Sequence, residues 1–124
     1  MIAADTSSIT AYLQGERGAD VERIDKAAAS GDLALPPVVV TELFSDPASA
    51  AWVESPVARF TLLSNAEGFW IRAGENRRLL VRHGLKAKVA DALIAQSCID
   101  HDVALITRDK DFRHFARHCG LRLA

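Results

Sequence analysis

Short apolar runs alternate with amphipathic stretches along the chain. Met1 to Ala4 is an apolar run that stops at Asp5, which predicts a short buried strand. Thr6, Ser7 and Ser8 then suit a helix start, with Ile9, Tyr12 and Leu13 on one face. Asp20 to Ser30 reads as a second helix, with Val21, Ile24, Ala27 and Ala28 inward and Gly31 as its stop. Leu33 to Leu35 predicts another strand, and Pro36 and Pro37 suit the first turn of a helix carrying Val38 to Phe44. Pro47 opens a helix around Ala50 to Glu54, and Phe60 to Leu63 reads as a third strand. Ser64 and Glu67 stand at capping-box spacing ahead of a helix that runs to His83 and ends at Gly84. Lys86 to His101 is a further helix, and Val103 to Thr107 a buried strand. Asp109 caps a helix in which Phe112, Phe115, Ala116 and Cys119 share a face. Gly120 ends that helix, and Leu121 to Leu123 predicts a last strand. Strands alternating with helices predict an α/β fold: one domain over residues 1–124, with a central, mostly parallel sheet of about four to five short strands flanked by helices.

Composition narrows the class. With 49% apolar residues the chain can bury a core, which excludes disordered, collagen-like and coiled-coil classes. No apolar run approaches the ~20 residues of a membrane span. The amino terminus has neither a basic leader nor a small-residue cleavage pattern, so a cytoplasmic protein is expected. Cys98 and Cys119 supply neither a disulfide framework nor a zinc quartet, and are expected as reduced, buried thiols. The formal net charge of −1 speaks against nucleic-acid binding until the chain is divided. Residues 1–62 hold 9 acids and 4 bases, whereas residues 63–124 hold 7 acids, 11 bases and all four histidines.

Four acids lie in apolar surroundings. Asp5 follows the first strand, and Glu42 is the only charge between Leu33 and Ser45. Asp91 is the only acid from Val89 to Ile99, and Asp109 stands just past the Val103 to Thr107 strand. Ionised carboxylates are rarely buried unless paired or bound to a metal. Ligand sites of open parallel sheets lie beyond the carboxyl ends of strands, where Asp5 and Asp109 fall. Each acid also has a local explanation. Asp5 and Asp109 can cap helices, Asp111 can favour a helix dipole, Asp91 can pair with Lys88, and Glu42 can face solvent. If the four converge, their repulsion raises some of their pKa values, and a hard divalent cation relieves it. All-oxygen ligation selects Mg²⁺, with Mn²⁺ as a substitute, and such a site suits phosphodiester hydrolysis. Ser7 and Thr107 offer hydroxyls to hold carboxylates or waters, or simply to bond a local turn.

The ordered motifs carry a resemblance. Asp5-Thr6-Ser7 after a short apolar strand, Thr41-Glu42-Leu43, the Leu85 to Ala95 segment and Leu105 to Phe112 together resemble the PIN domain over essentially the whole chain. Length and motif order are similar to the VapC-type toxins of bacterial toxin–antitoxin pairs. The resemblance implies a Mg²⁺- or Mn²⁺-dependent endoribonuclease held silent by a cognate antitoxin. It also implies a homodimer, or a heterotetramer or larger assembly with the antitoxin. Asp5 and Asp91 would be the principal metal ligands, Glu42 and Asp109 would complete the quartet, and Asp111 matches the least constant acid of such sites. Lys86, Lys88, Arg108 and Lys110 flank the acidic motifs and could grip RNA phosphates, or form a solvated face. Arg72, Arg78 and Arg82 recur on one helix and could meet RNA or antitoxin. Trp52, Trp70 and the phenylalanines are expected in the core or a dimer interface, since aromatics make up only 6% of the chain.

Two other classes stay open: a catalytically silent PIN-like interaction module, and a flavodoxin-like phosphoacceptor. The second needs a lone acceptor aspartate after a middle strand, which Glu42 and Asp91 in helices do not match. Without the four site acids, 12 acids face 15 bases, so the near-neutral total no longer argues against RNA.

Overall fold

A computed structural model describes residues 1–48 and 50–124, with the side chains of residues 50–52 also outside the description. The expectation for Trp52 therefore lies outside the described residues. Among the described residues, four three- or two-residue strands form one parallel sheet: β1 (Ile2–Ala4), β2 (Leu33–Leu35), β3 (Thr61–Leu62) and β4 (Ala104–Ile106). Their order is β3-β2-β1-β4. From β1 the chain builds outward through β2 and β3, then returns to place β4 on the other side of β1. The direction of winding thus reverses between β1 and β4, and ligand crevices open at the carboxyl ends of strands flanking such a reversal.

Register fixes what stands at that crevice. Ala4 pairs with Ile106, so Asp5 and Thr107 leave the sheet side by side. The Asp5 amide donates to the Ile106 carbonyl at 3.1 Å, which carries the alignment one residue past the strand. Ala3, Ala4, Leu33, Ala34, Leu35, Leu105 and Ile106 are buried, as expected of strands covered on both faces.

Among the described residues, seven helices cover the sheet: α1 (Thr6–Leu13), α2 (Ala19–Ala29), α3 (Pro37–Ser45), α4 (Ala50–Val57), α5 (Phe69–Arg82), α6 (Val89–His101) and α7 (Phe112–Cys119). Ile9 of α1, Ile24 of α2, Val39 and Leu43 of α3, Ile94 of α6 and Phe112 and Phe115 of α7 close the core. Cys98 is buried and Cys119 partly so, and neither is in a disulfide. Burial pushes the Cys98 thiol up to about 12, with the charge of Asp5 adding to the effect.

Several boundaries differ from the sequence pattern. Ser64 and Glu67 form no capping box, because α5 begins only at Phe69, behind Gly68 with its left-handed φ of 76°. The Ser64 carbonyl instead meets His101 Nε2 at 2.7 Å, and the Glu67 carbonyl accepts from Arg72 Nη1 at 2.7 Å. Helix α6 starts at Val89 rather than Lys86, since the Ala87 carbonyl is taken by Arg77 Nε of α5 at 2.8 Å. The expected last strand is reduced to a single parallel bridge between Leu123 and Leu105. Arg72 does not join Arg78 and Arg82 on a free face. It forms a two-pronged pair with Asp100 of α6, at 3.1 and 2.7 Å, and so ties α5 to α6. Trp70 and Phe44 are exposed, which excludes the core but not the interface half of their expectation, whereas Phe69, Phe112 and Phe115 are buried. No described helix is long and apolar enough to cross a membrane.

Candidate metal centre

A cleft of about 350 Å³ opens at the carboxyl ends of β1 and β4 and is lined by Asp5, Glu42, Asp91 and Asp109, with Thr6, Ser7, Thr10 and Lys88 among their neighbours. A cleft of about 420 Å³ between α1, α2 and residues 56–60 is roomier but contains a single acid, Asp25. Convergent polar groups, rather than size, mark the smaller one as the candidate site.

Asp5 is the N-cap of α1, so the capping role is real. Its Oδ1 accepts from the Ser8 amide at 3.1 Å, and its Oδ2 from the Thr107 hydroxyl at 2.7 Å. The Ser7 hydroxyl lies 2.9 Å from both oxygens. Burial nevertheless pushes the Asp5 carboxyl above its ordinary range, against these hydrogen bonds, and the charge of Asp109 adds to the rise. Glu42 projects from α3, and its Oε1 accepts from the Thr6 hydroxyl at 2.6 Å, so it is held rather than left to solvent.

Asp91 occupies the first turn of α6 and is 8% exposed. No hydrogen-bond donor among the described residues meets its carboxylate, and no ion pair with Lys88 forms. Its pKa is pushed up to about 6, first by burial and then by the charge of Asp109, with Glu42 and Asp111 adding and Lys88 opposing. A helix N-terminus ordinarily favours a carboxylate, so burial, with the crowding of like charge added, outweighs the dipole here.

Asp109 does not cap α7 directly. Its Oδ1 accepts from the Asp111 amide at 2.9 Å in a turn ahead of the helix, and Asp111 itself is the N-cap residue. Carboxylate oxygens of Asp91, Asp109 and Asp111 lie within 4.8 Å of one another. Asp111, given least weight by the resemblance, belongs to this tight trio. Asp5 and Glu42 border the same cleft outside it. An all-carboxylate set in which burial and like charge already disfavour ionisation of Asp91 fits a hard divalent cation, which removes both penalties.

Thr107 joins the two strand ends. Its hydroxyl donates to Asp5 and accepts the Asp109 amide at 2.9 Å. Thr6 reads in sequence only as part of the helix start and of the Asp5-Thr6-Ser7 motif, whereas its hydroxyl in fact holds Glu42. Replacing Thr107 by the isosteric Val is expected to weaken Mn²⁺ binding roughly 10-fold, because the Asp5 carboxylate loses a hydrogen bond and the Asp109 backbone loses the one that fixes its turn. It should also cost about 1–2 kcal/mol of stability. Calorimetric titration and thermal melting check the two effects, and unchanged Mn²⁺ affinity would refute the role.

The four flanking bases divide. Lys88 borders the cleft, and Lys110 is exposed beside a smaller hollow shared with Arg108 and Arg113. Lys86 approaches Asp111 at 3.5 Å in an exposed pair. Arg108 is committed elsewhere, donating to both oxygens of Asp20 at 2.8 and 3.0 Å.

No curated protein matches the chain significantly in sequence. Among solved structures, the VapBC2 complex of Rickettsia felis bound to a promoter DNA fragment is similar at a TM-score of 0.76 and 20% identity, covering 100% of this chain and 98% of that one. The DNA-bound VapBC of Salmonella typhimurium gives 0.71 at 19% identity, covering 100% and 98%. FitAcB of Neisseria gonorrhoeae gives 0.70 at 19% identity, covering 99% and 96%. At these identities the likeness concerns the fold. The PIN domain family matches residues 2–118, which takes in β1, every acid of the cleft and nearly all of α7. Sheet order, crevice and sequence signature agree, and the chain belongs to the PIN domain family.

Proposed function

We propose that the chain is a Mg²⁺- or Mn²⁺-dependent endoribonuclease that acts as the toxin of a toxin–antitoxin pair and is silenced by a cognate antitoxin. The observation that carries this reading is the gathering of Asp5, Glu42, Asp91 and Asp109 in one cleft at the reversal point of the sheet, with Asp111 beside them.

Asp91, Asp109 and Asp111 would hold the cation, with Asp5 and Glu42 completing the acidic wall directly or through water. A bound cation of this kind lowers the pKa of the attacking water and stabilises the leaving oxygen. The protein's part is to orient. Ser7, Ser8 and Thr107 fix both oxygens of Asp5, and Thr6 fixes Glu42, so these carboxylates do not rotate away from the cleft. Lys88 at the cleft and Lys110 on the adjoining hollow that shares Asp109 offer exposed positive charge for RNA phosphates. The similar structures include VapBC and FitAB complexes, which supports a protein partner for this chain. Cytoplasmic action follows from the proposed substrate. Membership of the PIN family, with two of the acids on helices, leaves no support for the phosphoacceptor reading.

The test is incubation of the purified chain with a 5′-labelled RNA in Mg²⁺. Internal cleavage that stops with a chelator and returns with added Mg²⁺ is expected. Intact RNA under every condition, or cleavage indifferent to chelation, would overturn the proposal. Adding the product of a short adjacent reading frame with a DNA-binding amino terminus should abolish the cleavage.

A further inference from the structure

We infer that Asp20, Arg108 and Gly18 form a positioning clamp that sets the carboxylates of Asp5 and Asp109 for metal binding. The inference rests on the nuclease reading above, and extends it to residues that do not line the acidic cleft.

Asp20 lies in the first turn of α2 and is absent from the cleft wall. It nonetheless connects both segments on which the acids are mounted. On the β1 side, Ser8 gives its amide to Asp5 Oδ1 at 3.1 Å and its hydroxyl to Asp20 Oδ2 at 2.9 Å. On the β4 side, Arg108 donates through Nε to Asp20 Oδ2 at 2.8 Å and through Nη2 to Oδ1 at 3.0 Å. Arg108 stands between Thr107, whose hydroxyl bonds Asp5 and Asp109, and Asp109 itself. One carboxylate therefore closes a ring through Ser8, Asp5, Thr107 and Arg108. A fork of two parallel hydrogen bonds fixes direction as well as distance.

The loop between α1 and α2 is shaped around this pair. Glu16 brings a carboxylate oxygen to 3.8 Å from the Arg108 guanidinium, and the Arg17 carbonyl comes to 3.5 Å. Gly18 has φ of 152°, and a Cβ there would stand 2.5 Å from Asp20 Oδ1 and 3.2 Å from Arg108 Nη2. Only glycine lets the pair close at this point. The Arg108 hydrogen bonds hold the Asp20 carboxyl at about 2, well below the usual range, so the clamp stays ionised wherever the enzyme would work.

A guanidinium so placed could instead contact RNA, and the two roles separate in D20N, R108Q and the double variant. The clamp predicts that each single change weakens Mn²⁺ binding roughly 10-fold, the usual scale for a lost partner of a metal ligand. It also predicts a lower kcat with KM for RNA near the wild-type value. The double variant should be no worse than either single one, because both remove the same connection. G18A should move Mn²⁺ affinity in the same direction. Thermal melting establishes that each variant is folded. If D20N does not fold, the partly exposed R108Q decides alone. Unchanged Mn²⁺ affinity in folded variants overturns the clamp, as does a KM increase in R108Q that D20N does not share. A wild-type chain that neither binds Mn²⁺ nor cuts RNA overturns the nuclease reading, and the clamp with it.

Discussion

Asp91→Asn is expected to lose RNA cleavage by at least about 100-fold and, in the same molecule, to make the metal-free protein more stable. The loss exceeds what removing an outer partner of a metal ligand costs, because a member of the carboxylate trio itself disappears. The gain follows from the position of Asp91. The side chain is buried, receives no hydrogen bond among the described residues, and faces Asp109, Glu42 and Asp111. Its pKa of about 6 means that ionising it near neutrality opposes folding. Asparagine keeps the shape and removes the charge, which should stabilise the chelated protein by about 2 kcal/mol. For a chain of this size that is roughly 6–10 °C in Tm. Thermal melts in chelator, run beside the cleavage assay, check both halves. A D91N protein that melts lower than wild type would show that the carboxylate is structurally satisfied rather than held for a ligand.

The second large effect is an unusual dependence on pH. Asp91 in the folded, metal-free chain holds its proton up to about 6, above the ordinary carboxyl value of 3.8 in the unfolded chain. The folded state therefore binds more protons between those values, and stability falls as pH rises through that window. Asp5, raised in the same direction, adds to the fall. Asp20 and Asp100 are lowered, so their stabilising contributions are complete above pH 3.8 and disappear only on further acidification. The metal-free chain should thus be most stable near pH 4–5 and lose about 2 kcal/mol by pH 7.5. Saturating Mn²⁺ should reverse the slope, because a cation binds the ionised carboxylates of the folded state. Melting curves across pH, with and without Mn²⁺, test this. A metal-free profile that is flat from pH 4 to 7.5 would contradict it.

Much of this architecture is legible in the amino-acid order, for a physical reason. Strands β1, β2 and β4 are buried on both faces, so they read as uninterrupted apolar runs. An acid directly after such a run, as at Asp5, or isolated among apolar residues, as at Glu42 and Asp91, stands out because burial needs a compensating partner. What escapes the sequence is set by contacts distant along the chain. The start of α5 depends on Gly68 in a left-handed conformation and on His101 reaching the Ser64 carbonyl. The pairing of Asp20 with Arg108 joins residues 88 apart, and no periodicity reports it. Arg72 looked like one of three surface arginines until the packing of α5 on α6 placed Asp100 beside it. Asp111 reads either as a helix-dipole acid or as the least constant acid of such a site, and the turn after β4 brings its carboxylate within 4.8 Å of those of Asp91 and Asp109.

The measurement closest to the central proposal is a calorimetric titration of Mn²⁺ into the purified, metal-stripped chain at pH 6, in buffers of different ionisation enthalpy. A carboxylate trio in which Asp91 is half protonated should bind Mn²⁺ saturably and release a fraction of a proton as it does so, and D91N should lose both the binding and the release. Saturable binding that is undiminished in D91N, or no binding by the wild-type chain at millimolar Mn²⁺, would contradict the assignment of this cleft as a metal centre.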